Sequence, residues 1–332
     1  MIRVGLLGTG RIGSLHAENI ASHRESTLDA VADIDDESAN NLAAQFGAIV
    51  KSADEVISDP NIDAILIATS TDTHSDFIEK ASSAGKAILC EKPVDLSLIR
   101  AKECLDKVSA AKNPIMVGFN RRFDPNFAQL KKSLDNGEIG NRELLTITSF
   151  DPAPPPISYI KTSGGLYRDM MIHDFDLSNF IMGELPISIS AVGHSLVDPA
   201  IGVAGDVDTA VVTMSYADGK IAVIKNSRRA AYGYDQRIEI LGSEGLLQAE
   251  NIAENSVVKS TTVGVLSAKP KYFFLERYMG AFKAEWDAFV KSIRNHKPVP
   301  VNLEDGVAAL AMAEAATQSQ NTGKSIQLKE LL

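Results

Sequence analysis

Cysteine is nearly absent: Cys90 and Cys104 are the only two in 332 residues, too few to argue for a disulfide framework. No apolar run approaches the roughly 18 residues that a membrane-spanning helix requires, so no membrane partner is expected. The six histidines show no paired spacing with cysteine that would hold zinc, and no metal is expected. A positive excess is missing too. Lysine and arginine number 33 against 43 aspartates and glutamates, a formal net charge of −10, and a chain of that sign without a dense basic cluster is a poor polyanion binder. Nucleic acid is therefore not an expected partner. The opening stretch MIRVGLLGTG carries no charged segment leading to a cleavage site, which gives the expectation of a cytoplasmic protein. What is present is ordinary for a globular chain, 45% hydrophobic and 23% charged, with length for two domains at roughly 150 residues each.

The first third alternates short β-rich apolar runs with helical stretches. Strands are expected at residues 3 to 8, 28 to 33, 64 to 69, 86 to 92 and 114 to 120, with helices near 12 to 22, 37 to 46, 75 to 84 and 97 to 111. That βαβ rhythm is the signature of a parallel, doubly wound sheet. The character changes after Arg121: a helix near 124 to 136, a strand at 142 to 150, then DPAPPP, whose prolines cannot join a ladder. A helix near 165 to 182 follows, then strands with few helices between them. Asp218-Gly219 marks a hairpin, and two late helices are expected near 276 to 294 and 303 to 321. The expected architecture is α/β: a doubly wound, Rossmann-type domain over 1–120, and an α+β domain over 121–332 built on a largely antiparallel sheet.

Gly8-Thr9-Gly10-Arg11-Ile12-Gly13 has GxGxxG spacing, directly after an apolar strand and at the opening of a helix. In that context Gly8 makes the tight turn, Gly10 lets the backbone approach a pyrophosphate, and Gly13 permits close helix packing. The helix N-terminus offers unpaired N–H groups to the phosphates. Asp33 ends the second strand, 20 residues after Gly13, where a carboxylate accepts from ribose hydroxyls and repels a 2′-phosphate. NAD is therefore expected over NADP, with Arg11 the base best placed to offset that repulsion.

Glu91-Lys92-Pro93 closes the strand expected at 86 to 92 at its carboxyl end, the edge where open α/β sheets bind ligands. On its own the tripeptide reads equally well as a solvated lysine ending a strand. In RDMMIHDFD, Asp169 and His173 are four apart, so on a helix they share a face and the carboxylate can hold the imidazole. Histidine suits proton transfer near neutrality, and Asp176 is a second partner for it. A satisfied structural histidine fits the same pattern. Tyr232 and Tyr234 share a strand face, where packing and polyol contact are equal readings.

Several motifs together carry a family resemblance: GTGRIGSLHAENI from residue 8, STDTH at 70–74, CEKPVDL at 90–96, GFNRRFDP at 118–125, GGLYRDMMIHDFDL at 164–177 and YGYDQR at 232–237. With these the chain resembles the Gfo/Idh/MocA oxidoreductases. GFNRRFDP and YGYDQR point within that family towards the members acting on inositol. The resemblance implies Lys92, Asp169 and His173 as catalytic residues. It implies Arg122, Asp151, Asp174 and Tyr234 as residues lining a polyol site. On the cofactor side it adds Ser70, Thr71, His74, Glu91 and Lys92 to Gly8, Gly10, Arg11, Ile12, Gly13 and Asp33, with His74 near the nicotinamide. It also implies a homotetramer.

The expected reaction is NAD-dependent oxidation of a secondary hydroxyl of inositol, taking myo-inositol to its 2-keto derivative. His173 takes the hydroxyl proton, Asp169 steadies the imidazolium, and Lys92 stabilises the developing alkoxide. Two alternatives stay open. One is the same chemistry on another inositol isomer or an aldose; the other is a non-catalytic sensor of NAD or sugar, which would have no need of the lysine and histidine.

Overall fold

Near-continuous apolar runs, which read as strands buried on both faces, become the centre of a six-stranded parallel sheet in the computed structural model, which describes residues 1–332. The elements are β1 (Ile2–Leu7), α1 (Arg11–Ser22), β2 (Ser26–Ala32), α2 (Asp36–Phe46), β3 (Ile49–Val50), α3 (Ala53–Ser58), β4 (Ala64–Ile67), α4 (His74–Ser83), β5 (Ala87–Glu91), α5 (Leu98–Val108) and β6 (Ile115–Gly118). Their order across the sheet is β3-β2-β1-β4-β5-β6, so the direction of winding reverses between β1 and β4. Ligands bind at the carboxyl ends of the strands beside such a reversal. Local signals fix the helices: Asp35 caps α2 through the amides of Glu37 and Ser38, and Gly47 ends it at φ +72°. A reciprocal Ser52–Glu55 capping box starts α3. The strand that sequence reading passed over is β3, two residues long and only half apolar in setting.

The second half contains α6 (Pro125–Asp135), β7 (Arg142–Phe150), α7 (Ile157–Ser163), α8 (Gly165–Asp169), α9 (Ile172–Met182), β8 (Ser188–His194), α10 (Pro199–Val203), β9 (Thr209–Ser215), β10 (Ile221–Ser227), β11 (Asp235–Gly242), β12 (Gly245–Ala249), β13 (Val258–Thr261), β14 (Gly264–Ser267), α11 (Phe274–Asn295), α12 (Leu303–Thr322) and β15 (Ile326–Gln327). A seven-stranded sheet runs β12-β11-β7-β10-β9-β8-β15. Only the β7–β10 pair is parallel; the other pairs are antiparallel. Gly219 takes φ +91° in the β9–β10 turn, the conformation the Asp-Gly signal requires. The helix expected over 165 to 182 is two helices, α8 and α9, broken at Met170 and Met171. The β13–β14 hairpin forms a separate two-stranded sheet.

Two units result: Met1–Asn120 with Phe282–Leu310, and Arg121–Ala281 with Ala311–Leu332. A division at residue 120 hands everything beyond it to the second domain, whereas Phe282–Leu310 belongs with the Rossmann sheet. The physical reason is burial. Trp286 is 1% exposed and donates to Ser26 Oγ at 3.0 Å, and the Val117 amide donates to the Val301 carbonyl at 3.1 Å.

Candidate active site

In the first unit, the loop after β1 has the geometry a dinucleotide needs. Gly8 sits at φ +93°, and a Cβ there would fall 2.3 Å from the Ala68 carbonyl oxygen. At Gly13 a Cβ would fall 2.0 Å from the Gly8 carbonyl oxygen, so α1 packs against the loop as only glycine allows. Gly10 differs: nothing lies within 4 Å of its missing Cβ. That open side, with no side chain capping α1, leaves the amides of Arg11, Ile12 and Gly13 facing a cradle that fits a pyrophosphate. Asp33 is tied to the same loop, its Oδ2 accepting from the Thr9 amide at 2.6 Å and the Thr9 hydroxyl at 3.0 Å. Partial burial opposes its ionisation, yet these bonds and one from the Asp35 amide hold its carboxyl below the usual range. A fixed anion thus stands where the ribose end of NAD belongs.

At the same sheet edge, β5 ends in Glu91 and delivers Lys92, which is half-buried. Glu91 is anchored by His16 of α1, whose Nε2 lies 2.7 Å from Glu91 Oε1, and Gly118 leaves room for the carboxylate, since a Cβ there would approach Glu91 to 3.2 Å. His16, which reads in the sequence as a bland helix residue, therefore joins the phosphate-facing helix to the strand bearing the lysine. His74 is 1% exposed. Its Nδ1 lies 2.8 Å from the Pro93 carbonyl and its Nε2 3.1 Å from the Thr69 carbonyl, and burial pushes its pKa down. Both ring nitrogens thus face backbone carbonyls, and the neutral ring donates to one of them. His74 sits between Thr69 and the segment just after Lys92. Ser70 and Thr71 lie on the turn after β4, where Thr73 Oγ1 donates to the Ser70 carbonyl at 2.8 Å.

In the second unit, the inward face of the large sheet turns polar at one end. Ser149 of β7 is in register with Asn226 of β10 and Gln236 of β11, and all three are fully buried. They converge on Asp174 of α9, which accepts from Arg121 at 2.6 Å and Ser149 at 2.6 Å through Oδ1, and from Asn226 at 2.8 Å through Oδ2. Asp174 is 0% exposed and is the hub of a buried network. The neighbouring arginines divide. Arg122 pairs with Asp176 through Nε at 2.8 Å and Nη2 at 2.5 Å and lies over the Phe180 ring. Asp176 is thereby taken up by Arg122. Arg121 donates to the Tyr234 hydroxyl at 3.2 Å.

One step further along the same strands comes a second polar layer: Asp151 after β7, Arg228 after β10, and Tyr234 before β11. The Asp151 amide donates to the Ser227 carbonyl at 2.9 Å. Burial drives the Asp151 carboxyl up to about 6, with Asp169 and Asp174 pushing the same way and Arg228 and Arg121 opposing. Asp169 ends α8, and its Oδ1 accepts from the Tyr159 hydroxyl at 2.9 Å while Oδ2 faces Arg228 Nη2 at 3.4 Å. His173 is half-buried in the first turn of α9; the α8–α9 break separates it from Asp169, so the two do not share one continuous helix.

Arg121, Tyr159 and Arg228 are the residues that sequence reasoning missed. A signal for Arg228 existed: in β10 the buried positions are Ala222, Ile224 and Asn226, and the same alternation carried two residues on puts Arg228 inward. A polar residue at a core position of a strand points to a site.

Profiles of the oxidoreductase family match both halves, the NAD-binding Rossmann fold over residues 2–119 and the C-terminal alpha/beta domain over residues 131–328. The chain is 46% identical to an inositol 2-dehydrogenase of Rhizobium meliloti over 98% of its own length and 99% of the relative. It is 43% identical to a myo-inositol 2-dehydrogenase of Thermotoga maritima over the whole of both chains. The crystal structure of scyllo-inositol dehydrogenase from Lactobacillus casei with bound NAD(H) and scyllo-inositol superposes with a TM-score of 0.92, at 30% identity, over 99% of this chain and 99% of that one.

Proposed function

From the premise that the chain belongs to the Gfo/Idh/MocA family of oxidoreductases, we propose that it is an NAD-dependent inositol 2-dehydrogenase, oxidising myo-inositol to its 2-keto derivative. The observation that carries this reading is identity of 43–46% over essentially full length with relatives named for that activity. The polar, acid-rich layer of Asp151, Asp169 and Tyr234 supports it. A ring bearing six hydroxyls wants a partner for each, and a site built to bond hydroxyls rejects analogues lacking them.

Bound NAD supplies the hydride acceptor. His173 takes the hydroxyl proton on a ring nitrogen, and the Asp169 carboxylate stabilises the imidazolium that forms. The Lys92 ammonium stabilises the negative charge that develops on the substrate oxygen. Asp151 and Tyr234 grip hydroxyls remote from the reacting carbon. The test is a panel of myo-, scyllo- and chiro-inositol, glucose and xylose, each with NAD and NADP, followed by absorbance of the reduced nicotinamide. No turnover of any inositol overturns the assignment; faster turnover of glucose or xylose gives it to the aldose reading.

On that panel NAD outperforms NADP by on the order of a hundredfold in kcat/KM, because Asp33 is held ionised beside the ribose site and like charges brought together cost several kcal/mol. Comparable efficiencies would remove Asp33 as the discriminator. Asp151→Asn lowers kcat/KM for myo- and scyllo-inositol roughly five- to 150-fold, corresponding to about 1 to 3 kcal/mol for a lost hydrogen bond in a polar site. The two isomers lose unequally, since they differ in the orientation of a hydroxyl. An unchanged ratio would assign Asp151 to structure alone.

We also read the protein as a cytoplasmic homotetramer. No helix is long and apolar enough to cross a membrane. Leu144, Ile221, Leu241 and Leu246 form a cross-strand line on the outer face of the large sheet, each 39–47% exposed, and an apolar stripe of that kind favours self-association. Light scattering after size exclusion tests the assembly.

A further inference from the structure

Arg228 is among the largest side chains in the protein to be almost wholly buried, 1% exposed, yet it forms no bidentate pair. Its closest acidic contact is the single 3.4 Å approach of Nη2 to Asp169 Oδ2, and its Nε has no partner. A buried guanidinium used so sparingly is costly as a packing element, because charge taken out of water is repaid only by good geometry. Its surroundings explain the expense. Asp151, Asp169 and Asp206 all feel its charge, as does the Tyr159 hydroxyl. Arg121, Asp174 and Tyr234 are the other groups facing Asp151. Three acids in a dry setting share few cations, and like charges at such range disfavour ionisation of the whole set.

We propose that Arg228, with Tyr159 on the other carboxylate oxygen, is a positioning residue for the proton transfer: it fixes Asp169 and supplies the positive charge that the acids around it share. Tyr159 donates to Oδ1 at 2.9 Å and Arg228 faces Oδ2, so the carboxylate is held at both oxygens and its rotation is stopped. A fixed Asp169 is what His173 needs from its partner. The assignment of that role to Asp169 and His173 rests on the reaction proposed above; the electrostatic part of the inference does not.

The sign of the pH effect is determined. Removing the Arg228 charge takes away the cation that opposes protonation of Asp151, so the acid limb of the pH–kcat/KM profile moves up. An opposite charge at this range is worth about one pH unit or more. Arg228→Met therefore shifts the limb upward by roughly one unit and lowers kcat at neutral pH roughly ten- to a hundredfold, while NADH binding followed by fluorescence stays within twofold. Arg228→Lys, which keeps the charge, falls between Met and wild type, and Tyr159→Phe moves the limb the same way by a few tenths. A structural arginine lowers the melting temperature and leaves the limb where it was, and that result overturns the proposal. Should Arg228→Met fail to fold, Arg228→Lys and Tyr159→Phe decide.

A second measurement needs no substrate. The Asp151 carboxyl is raised from 3.8 to about 6 in the folded protein, so the fold binds more protons than the unfolded chain between those values and loses stability as pH rises through them. Losing Arg228 extends that window upward, so the melting deficit of Arg228→Met grows from pH 5 to pH 8. A deficit independent of pH overturns the electrostatic role. If wild type oxidises no inositol, the functional assignment fails while these melts still decide the proposal. If it does and neither limb nor deficit moves, the proposal fails alone.

Discussion

His173→Ala and Lys92→Ala each lower the rate of inositol oxidation by about 10² to 10⁴-fold, the range typical of a lost general base or a lost electrostatic stabiliser, with NADH affinity nearly unchanged. A secondary alcohol does not release hydride until its proton has somewhere to go. In the proposed mechanism His173, on the first turn of α9, provides that place. Lys92 there bears on the same barrier by a different route, stabilising the oxygen as charge develops on it. The losses should therefore fall on kcat more than on KM, since neither interaction is made fully until the transition state. The two variants also separate in pH: the acid limb set by the base disappears in His173→Ala and persists in Lys92→Ala. NADH binding stays nearly intact because the glycine loop and Asp33, the main expected holders of the dinucleotide, are built from β1, α1 and the end of β2. Near-wild-type activity in either variant would remove that residue from the chemistry.

The parts of this molecule that could be read from its sequence are those fixed by local rules. The Rossmann half follows from apolar runs at βαβ spacing and from a glycine pattern whose steric reason the structure supplies at Gly8 and Gly13. The Asp-Gly turn and the change of character after Arg121 are of the same kind. What escaped was decided by long-range contact. Residues 282–310 look like any amphipathic helix and its neighbour, and only the burial of Trp286 beside Ser26 places them in the first unit.

The site divides along the same line. Arg121 and Arg122 are adjacent in a short 3-10 turn, Asn120–Phe123, and residues so placed point in different directions; no pattern in GFNRRFDP says which meets Asp174 and which Asp176. Asp174, read as a substrate contact because it follows His173, is held on the buried side of α9 by partners from β7 and β10 and by Arg121. His74 illustrates the converse. The resemblance implies a cofactor contact for it, and the structure buries it between the Pro93 and Thr69 carbonyls, a setting that no sequence pattern announces. Periodicity locates strands and helices; it does not say which polar side chain a neighbouring strand will claim.

The largest loss of stability from a single change is expected at Asp174→Ala, about 3 to 5 kcal/mol, which is the usual consequence of removing one partner of a buried ion pair. The carboxylate is 0% exposed and answers Arg121, itself only 6% exposed in its side chain, along with Ser149 and Asn226. Alanine leaves a guanidinium, a hydroxyl and an amide in the dry interior without their acceptor, and water has no route to replace it. At 1.4 kcal/mol per decade, the folding equilibrium falls by roughly two to three and a half decades. Asp174→Asn keeps one acceptor oxygen but loses the charge and adds two donors that have nowhere to bond, so it falls between alanine and wild type. Trp286 is the only tryptophan and lies in the first unit, so its fluorescence is the wrong probe. Denaturant titration followed by far-UV circular dichroism, with amide exchange of β7 and β10, reads the second unit directly. If Asp174 instead served as a polyol contact, alanine would leave stability within about 1 kcal/mol of wild type and change the ratio of myo- to scyllo-inositol efficiency. A large stability loss with the isomer ratio preserved in the folded fraction is the outcome the buried network requires, and the opposite pair of results would return Asp174 to the substrate.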